Sequence, residues 1–199
     1  MMKKRLALIV SIILCIALAI ISCAGVQTKP TEANFKAPSV KLDFIQVDYY
    51  SGFWTYGGAK VERGTAPQFG GSSAVTLLFV FEIHNPNEFP IRYDSGSFFV
   101  FFEDYELRVV NDSNPMWIPA GMTNSKVLPV TIDGVTTWGK FLLAGKELAI
   151  KRGDDPWKKV EEWFTKLPDM SFPIDLRDGQ FAFSANGLTR AVPIKASYP

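Results

Sequence analysis

Hydrophobic residues recur at every second position along much of the chain, in runs separated by residues that favour turns. The clearest run places Val75, Leu77, Phe79, Phe81 and Ile83 on one face, with Thr76, Glu82 and His84 on the other beside Leu78 and Val80. Two largely apolar faces predict a central strand. Asn85-Pro86-Asn87 stops it, because proline lacks the ladder N–H and asparagine tolerates turn conformations. Val40, Leu42, Phe44, Ile45 and Val47 predict an earlier strand whose alternation slips near its middle, as a β-bulge would make it. Between the two, residues 52–73 are rich in glycine and include Pro67, which reads as a long connection or a poorly formed hairpin.

Further extended stretches are predicted at 91–93, 97–103 and 105–110, with Phe98, Val100 and Phe102 on one face and Phe99 and Phe101 on the other. Pro119-Ala120-Gly121 reads as a turn before a strand over 126–132, which Asp133-Gly134 ends. Near the C-terminus, Asp178-Gly179 and Asn186-Gly187 both carry the hairpin signature, so 172–177, 180–185 and 188–196 are expected as three consecutive antiparallel strands.

The period changes to that of a helix at 155–167, where Trp157, Val160, Phe164 and Leu167 share a face flanked by Trp163. Asp154 or Asp155 supplies a cap, Pro156 suits the first turn, and Pro168 ends the segment. Trp138, Phe141 and Leu142 suggest a second helix over 137–149, with Gly145 in its interior. Many strands, frequent turns and few helices predict an all-β, antiparallel β-sandwich over residues 40–199, since a parallel α/β sheet needs a helix between most strands.

The first residues follow a different logic. Lys3, Lys4 and Arg5 precede an apolar run over 6–21 that only Ser11 interrupts, the order of a secretory signal over residues 1–22. The run falls short of the ~20 residues that a membrane-crossing helix needs. Ile20-Ile21-Ser22-Cys23 resembles the bacterial lipobox, in which the cysteine after the cleavage point receives a diacylglycerol and often a further acyl chain. That resemblance implies lipidation of Cys23 and membrane attachment through it, since two or three acyl chains anchor stably where one does not. Ala24 follows in place of an inner-membrane retention aspartate, so the outer membrane at its periplasmic face is expected in a two-membrane bacterium. Residues 23–39 read as a polar tether without a periodic apolar face.

Charge and cysteine content narrow the function classes. Without the three leading bases, 18 basic residues face 20 acidic ones, which is no footprint for nucleic acid. The two cysteines, Cys15 and Cys23, both lie in the leader or at its boundary, so the mature body is expected to hold no disulfide and no cysteine metal cluster. The full chain is 47% hydrophobic, and a mature body of about 175 residues can bury a core large enough to need neither; nothing calls for a cofactor.

The stretch Phe81-Glu82-Ile83-His84-Asn85-Pro86-Asn87-Glu88-Phe89-Pro90-Ile91 resembles the group-two late-embryogenesis-abundant (LEA) family and the water-stress-and-hypersensitive-response (WHy) domain. Members follow the Asn-Pro-Asn strand end with a strand pair, then a turn like Ile118-Pro119-Ala120-Gly121 and a strand like Val127-Leu128-Pro129-Val130. The resemblance covers about 40–132 and, more loosely, the hairpins through Ala196. It implies an immunoglobulin- or fibronectin-like sandwich, no catalytic residues, and association with desiccation or osmotic stress.

Candidates for chemistry are few. His84 is the only histidine and has no nucleophile motif beside it. Glu103-Asp104 and Asp154-Asp155 are paired acids, but adjacent strand residues face opposite sides and a helix N-terminus attracts acids for its own sake. Gly57-Gly58 and Gly70-Gly71 lack the Lys-Ser/Thr of a phosphate loop. Tyr49, Tyr50, Phe53, Trp54 and Tyr56 form a candidate binding surface for an envelope protein, a glycan or lipid headgroups, with filling of a sandwich edge as the alternative. The expectation is a noncatalytic envelope lipoprotein that protects or binds a partner. The alternative is a carrier of lipid or a small apolar ligand, suggested by the phenylalanine-rich strands.

Overall fold

The computed structural model describes residues 28–53, 55–56, 59–60 and 73–199. The signal reading over 1–22, Cys23, Trp54 and the two glycine pairs lie outside the described residues. In chain order the elements are β1 (Ser39–Tyr50), β2 (Thr55–Tyr56), β3 (Ala59–Lys60), β4 (Ala74–His84), β5 (Ile91–Phe102), β6 (Tyr105–Asp112), β7 (Met116–Ile118) and β8 (Thr123–Asp133). Three helices follow, α1 (Gly134–Leu143), α2 (Lys146–Arg152) and α3 (Pro156–Lys166), then a 3-10 turn (Leu167–Asp169), β9 (Ile174–Ala185) and β10 (Leu188–Tyr198).

Two antiparallel sheets face each other, one ordered β1-β4-β8 and the other β10-β9-β5-β6, with β7 beside the start of β5. This is the strand order of a fibronectin-like sandwich, with the helices inserted between β8 and β9. Inward positions are the alternating apolar ones of the sequence pattern: Leu77, Phe79, Phe81 and Ile83 meet Phe98, Val100, Phe181 and Phe183, all fully buried. Phe81 meets Phe181 edge-on at 4.9 Å and Phe98 at 5.7 Å. The phenylalanines that suggested a ligand chamber therefore fill the space between the sheets with one another. Each such side chain contributes roughly 1.5–3 kcal/mol by leaving water. Gly96 exists for the same packing, since a Cβ there would lie 2.5 Å from the Phe181 ring.

Several local expectations are met, and others are corrected. The slip in β1 is real, with register shifts between Leu42 and Phe44 and between Val47 and Tyr49. Asn186 (φ 48) and Gly187 (φ 81) are both left-handed, as a tight hairpin turn requires. Asp178-Gly179 is not a hairpin: only Asp178 has positive φ (49), and β9 runs straight through. The pair forms a bulge instead, because a side chain at Gly179 would sit 2.8 Å from Phe98 Cβ and 2.9 Å from Ile194 Cβ. The tail is thus two long strands rather than three short ones. A tight turn that no glycine or proline announces stands at Glu103 (φ 49) and Asp104 (φ 75), between β5 and β6.

The helix expected at 155–167 spans Pro156–Lys166, with the Asp155 carboxylate accepting from Lys158 N at 3.0 Å. Trp163 is not at its flank but fully buried at its centre. The helix expected at 137–149 is two. It starts early, at Gly134, because Asp133 caps it through Thr136 N. It breaks near Gly145, where a Cβ would lie 3.0 Å from the Tyr105 ring.

The described part of the expected tether is also corrected. Phe35 is buried against Phe89, and Arg190 stacks on its ring while binding the carbonyls of Phe35 and Glu32. Residues 28–38 are therefore strapped to the sandwich. A single aromatic in a polar stretch, with its partners in the β4–β5 turn and on β10, carries no periodicity to announce this.

Candidate functional site

The strands run between two ends, so the loops fall into two groups. Thr28 to Pro38, the β4–β5 turn, the β7–β8 turn and the β9–β10 hairpin share one end, the proximal pole. The helices, the β5–β6 turn and the end of β1 share the other, the distal pole.

At the proximal pole the Asn-Pro-Asn motif is a hydrogen-bond hub. Asn85 is fully buried, and its Nδ2 donates to the carbonyls of Phe89 (2.9 Å), Ile118 (3.1 Å) and Pro119 (3.0 Å). Its Oδ1 accepts from both the backbone N and Nδ2 of Asn87. The Asn87 side chain in turn accepts from Lys36 N at 2.8 Å and donates to Lys36 O at 2.9 Å. Backbone bonds from Asn85 to Met122 O and from Gly121 to Asn87 O close the knot. Two side chains thus join the arriving chain, the β4–β5 turn and the β7–β8 turn, which no apolar residue could do because the carbonyls would be buried unpaired. The sequence signal is the motif itself, whose reading as a strand stop is true but incomplete.

The aromatic candidates do not form one surface. Tyr49 is exposed on the outer face of β1. Tyr50 turns inward, donating its hydroxyl to Phe164 O at 2.8 Å, and burial raises its pKa. Phe53 is buried, edge-on to Trp157 at 5.5 Å and tilted against Phe164 at 6.0 Å. These two side chains dock α3 onto the sandwich, so they are corrected from surface to packing. Tyr56 pairs with Ala59 through the backbone, and Trp54 lies outside the described residues.

The paired acids are engaged in ion pairs that hold the helical insertion. Asp104 receives Arg177 at 2.6 Å and Arg152 at 2.7 Å, and these two guanidinium groups hold its carboxyl below the usual range. Glu103 binds Lys159 of α3 at 2.7 Å. Asp154 accepts from the Tyr105 hydroxyl at 2.8 Å, while Tyr105 stacks on Phe141 at 4.3 Å. Burial first, then the Asp154 carboxylate, push Tyr105 ionisation upward. His84 contacts Thr123 Oγ1 at 3.1 Å across the β4–β8 ladder.

A buried pair that the sequence pattern does not signal lies on the flank of the sandwich. Lys126 of β8 binds Asp112 of β6 at 2.8 Å and the carbonyl of Asn114 at 2.7 Å, with its Nζ over the Tyr93 ring at 4.7 Å. Burial raises the Asp112 pKa, but the bonds from Lys126, Tyr93 and the Asn114 backbone, with the Lys126 charge, together outweigh it and hold the carboxyl below the usual range. Tyr93 is pushed upward, first by burial and then by the Asp112 carboxylate. The pair bridges the two sheets, and Asp112 also borders a hollow with Ser97 and Gln180.

Fold and site together define a class: a small fibronectin-like β-sandwich with a helical insertion at one end and a buried amide knot at the other. No family model matches the chain, and no curated protein matches it. Among solved structures, a protein from Archaeoglobus fulgidus is similar at 7% identity, covering 79% of this chain and 94% of that one, with a TM-score of 0.44. A target of the Northeast Structural Genomics Consortium is similar at 8% identity over 81% of this chain and 82% of that one, with a TM-score of 0.39. Likeness at this level carries no argument about function. No helix among the described residues is long and apolar enough to cross a membrane.

Proposed function

We propose that this is a lipid-anchored, noncatalytic protein of the bacterial envelope, whose LEA-like sandwich shields or binds another envelope component under desiccation or osmotic stress. The observation that carries the reading is Ile20-Ile21-Ser22-Cys23, placed after a basic start and an apolar run and only five residues before the strapped body begins at Thr28. The resemblance around Asn85-Pro86-Asn87 supports the LEA-like assignment, and its residues have a shared structural task in the hub. The acids most suited to chemistry serve in ion pairs, in the Tyr105 bond and in the α3 cap.

Labelling cells with an alkyne fatty acid tests the anchor. The wild type takes up label and fractionates with membranes, on the outer membrane in a two-membrane host, and Cys23→Ser loses both. Retention of either by the variant rejects the anchor. The stress role predicts poorer survival of a deletion strain after drying or osmotic shock, and in-cell crosslinking names the shielded neighbour. Unchanged survival with no crosslinked neighbour rejects that role.

A further inference from the structure

We infer that the proximal pole rests on the bilayer through the β7–β8 tip, with Trp117 and Met122 seated among the headgroups of the leaflet that holds the anchor. The inference rests on the lipidation of Cys23 proposed above. Residues 24–27 are all that separate Cys23 from Thr28, so even fully extended they hold Thr28 within about 18 Å of the lipidated residue. Thr28 is fixed to the proximal pole, its hydroxyl donating to Glu88 Oε2 of the β4–β5 turn at 3.0 Å. The knot ties that turn to the β7–β8 tip, through Gly121 N to Asn87 O and Asn85 N to Met122 O. Strap and tip are therefore one unit, held within a short reach of the anchored residue.

The tip has the chemistry of an interfacial contact. Residues 113–125 contain no charged side chain, although charged residues close the segment at Asp112 and Lys126. Within it Trp117 is 61% exposed and Met122 55%, both large apolar side chains presented to solvent beside the exposed Pro119-Ala120-Gly121 turn. An indole suits the headgroup level because its ring is amphipathic, and the Arg92 guanidinium that lies 6.0 Å from the ring centroid can stay at that polar level. The exposed apolar side chains of the helices, Leu143 and Ile150, lie at the other end of strands of 11 or 12 residues, roughly 35–40 Å away, and the short linker cannot bring them to the same surface.

The test uses the full lipidated chain, whose mature form offers no free thiol once Cys23 is acylated. Met122→Cys and, separately, Leu143→Cys are labelled with a polarity-sensitive fluorophore and reconstituted into vesicles of phosphatidylethanolamine and phosphatidylglycerol in equal parts. A blue shift and a several-fold loss of iodide quenching at position 122, with neither at 143, is the expected result. Trp117→Cys with the same label gives a second reading from β7, independent of the turn. If the protein floats with the vesicles while positions 117 and 122 stay as open to iodide as 143, the docking is overturned and the anchor stands. If the protein does not float, the anchor reading falls and takes the docking with it. Shielding of 122 in cells but not in vesicles overturns the lipid contact in favour of a protein one.

Discussion

At the proximal pole two neutral amides, Asn85 and Asn87, make their bonds inside the fold, away from water. At the distal pole ion pairs sit on the rim, with Asp104 about half exposed, and beneath them lies a stack of rings around Trp163. Both arrangements close one end of the same sandwich. A buried amide without its partner leaves several backbone groups unpaired where water cannot reach, whereas a rim ion that loses its partner is simply hydrated. One end therefore tolerates almost no change in its polar residues. The other tolerates change in its charges but not in its rings, and its exposed Leu142 and Ile150 border a hollow of about 420 Å³ beside Phe141 and Ala149.

The sharpest way to break the contrast is Asn85→Ala. It removes the donor to the carbonyls of Phe89, Ile118 and Pro119 and frees the Asn87 amide, so a loss of about 3–5 kcal/mol is expected in urea unfolding. Asn85→Asp gives no rescue, because a carboxylate cannot donate to a carbonyl. A loss below about 1 kcal/mol would mean that the strands alone hold that pole shut.

Next in size comes the flank, where charge is buried as the amides are. Lys126→Met strands Asp112 without a counter-ion, for about 3 kcal/mol, and adding Asp112→Asn recovers much of it. The sign with pH follows from the lowered Asp112 carboxyl. Its stabilising contribution is complete above the ordinary aspartate value of about 4 and is lost as pH falls through the depressed one. The melting temperature of the wild type should drop in acid, and that of Asp112→Asn should drop less. Equal acid slopes would remove Asp112 from the account.

How much of this is legible in the sequence depends on distance along the chain. The strand at β4, helix α3 and the Asn186-Gly187 hairpin are written in local alternation, caps and turn residues, and all three stand where those signals put them. Asp178-Gly179 carries the same local signature as Asn186-Gly187. What separates them is Phe98 and Ile194 crowding Gly179 from two other strands. Asn85 reads locally as a turn residue, and its partners Ile118 and Pro119 lie more than thirty residues away. Local logic also suffices for the start of the aromatic run. Tyr49 and Tyr50 are neighbours in a strand, so one has to face out and the other in.

At the rings of the distal pole the telling substitution is the conservative one, whose net effect is small and of less obvious sign. Trp163 is fully buried, yet its Nε1 has no hydrogen-bond partner among the described residues. Trp163→Ala empties the centre of the stack, at about 3–5 kcal/mol. Trp163→Phe gives up part of the ring but also removes an unpaired buried donor, itself worth about 1–3 kcal/mol, so the two terms nearly cancel. The phenylalanine variant should melt close to the wild type. If it falls as far as the alanine variant, the indole nitrogen has a partner after all.

The smallest effect is expected where the charges are most numerous. Arg177 binds Asp104 at 2.6 Å and Asp175 at 2.5 Å and lies over the Phe101 ring at 4.5 Å, so on distances alone it looks as firmly held as Asn85. Its side chain is nevertheless 31% exposed and that of Asp104 49%, which lets water and salt take over each interaction when it breaks. Arg177→Ala is expected to cost at most about 1 kcal/mol, and that little should fade as ionic strength rises and the screening length falls from about 10 Å to about 3 Å. The Asn85→Ala loss, having no net charge in it, should stay the same across that range of salt. Parallel urea titrations of both variants at low and high salt separate the two kinds of closure. A salt-independent loss of several kcal/mol at Arg177 would show the rim ions to be as buried in effect as the amide knot.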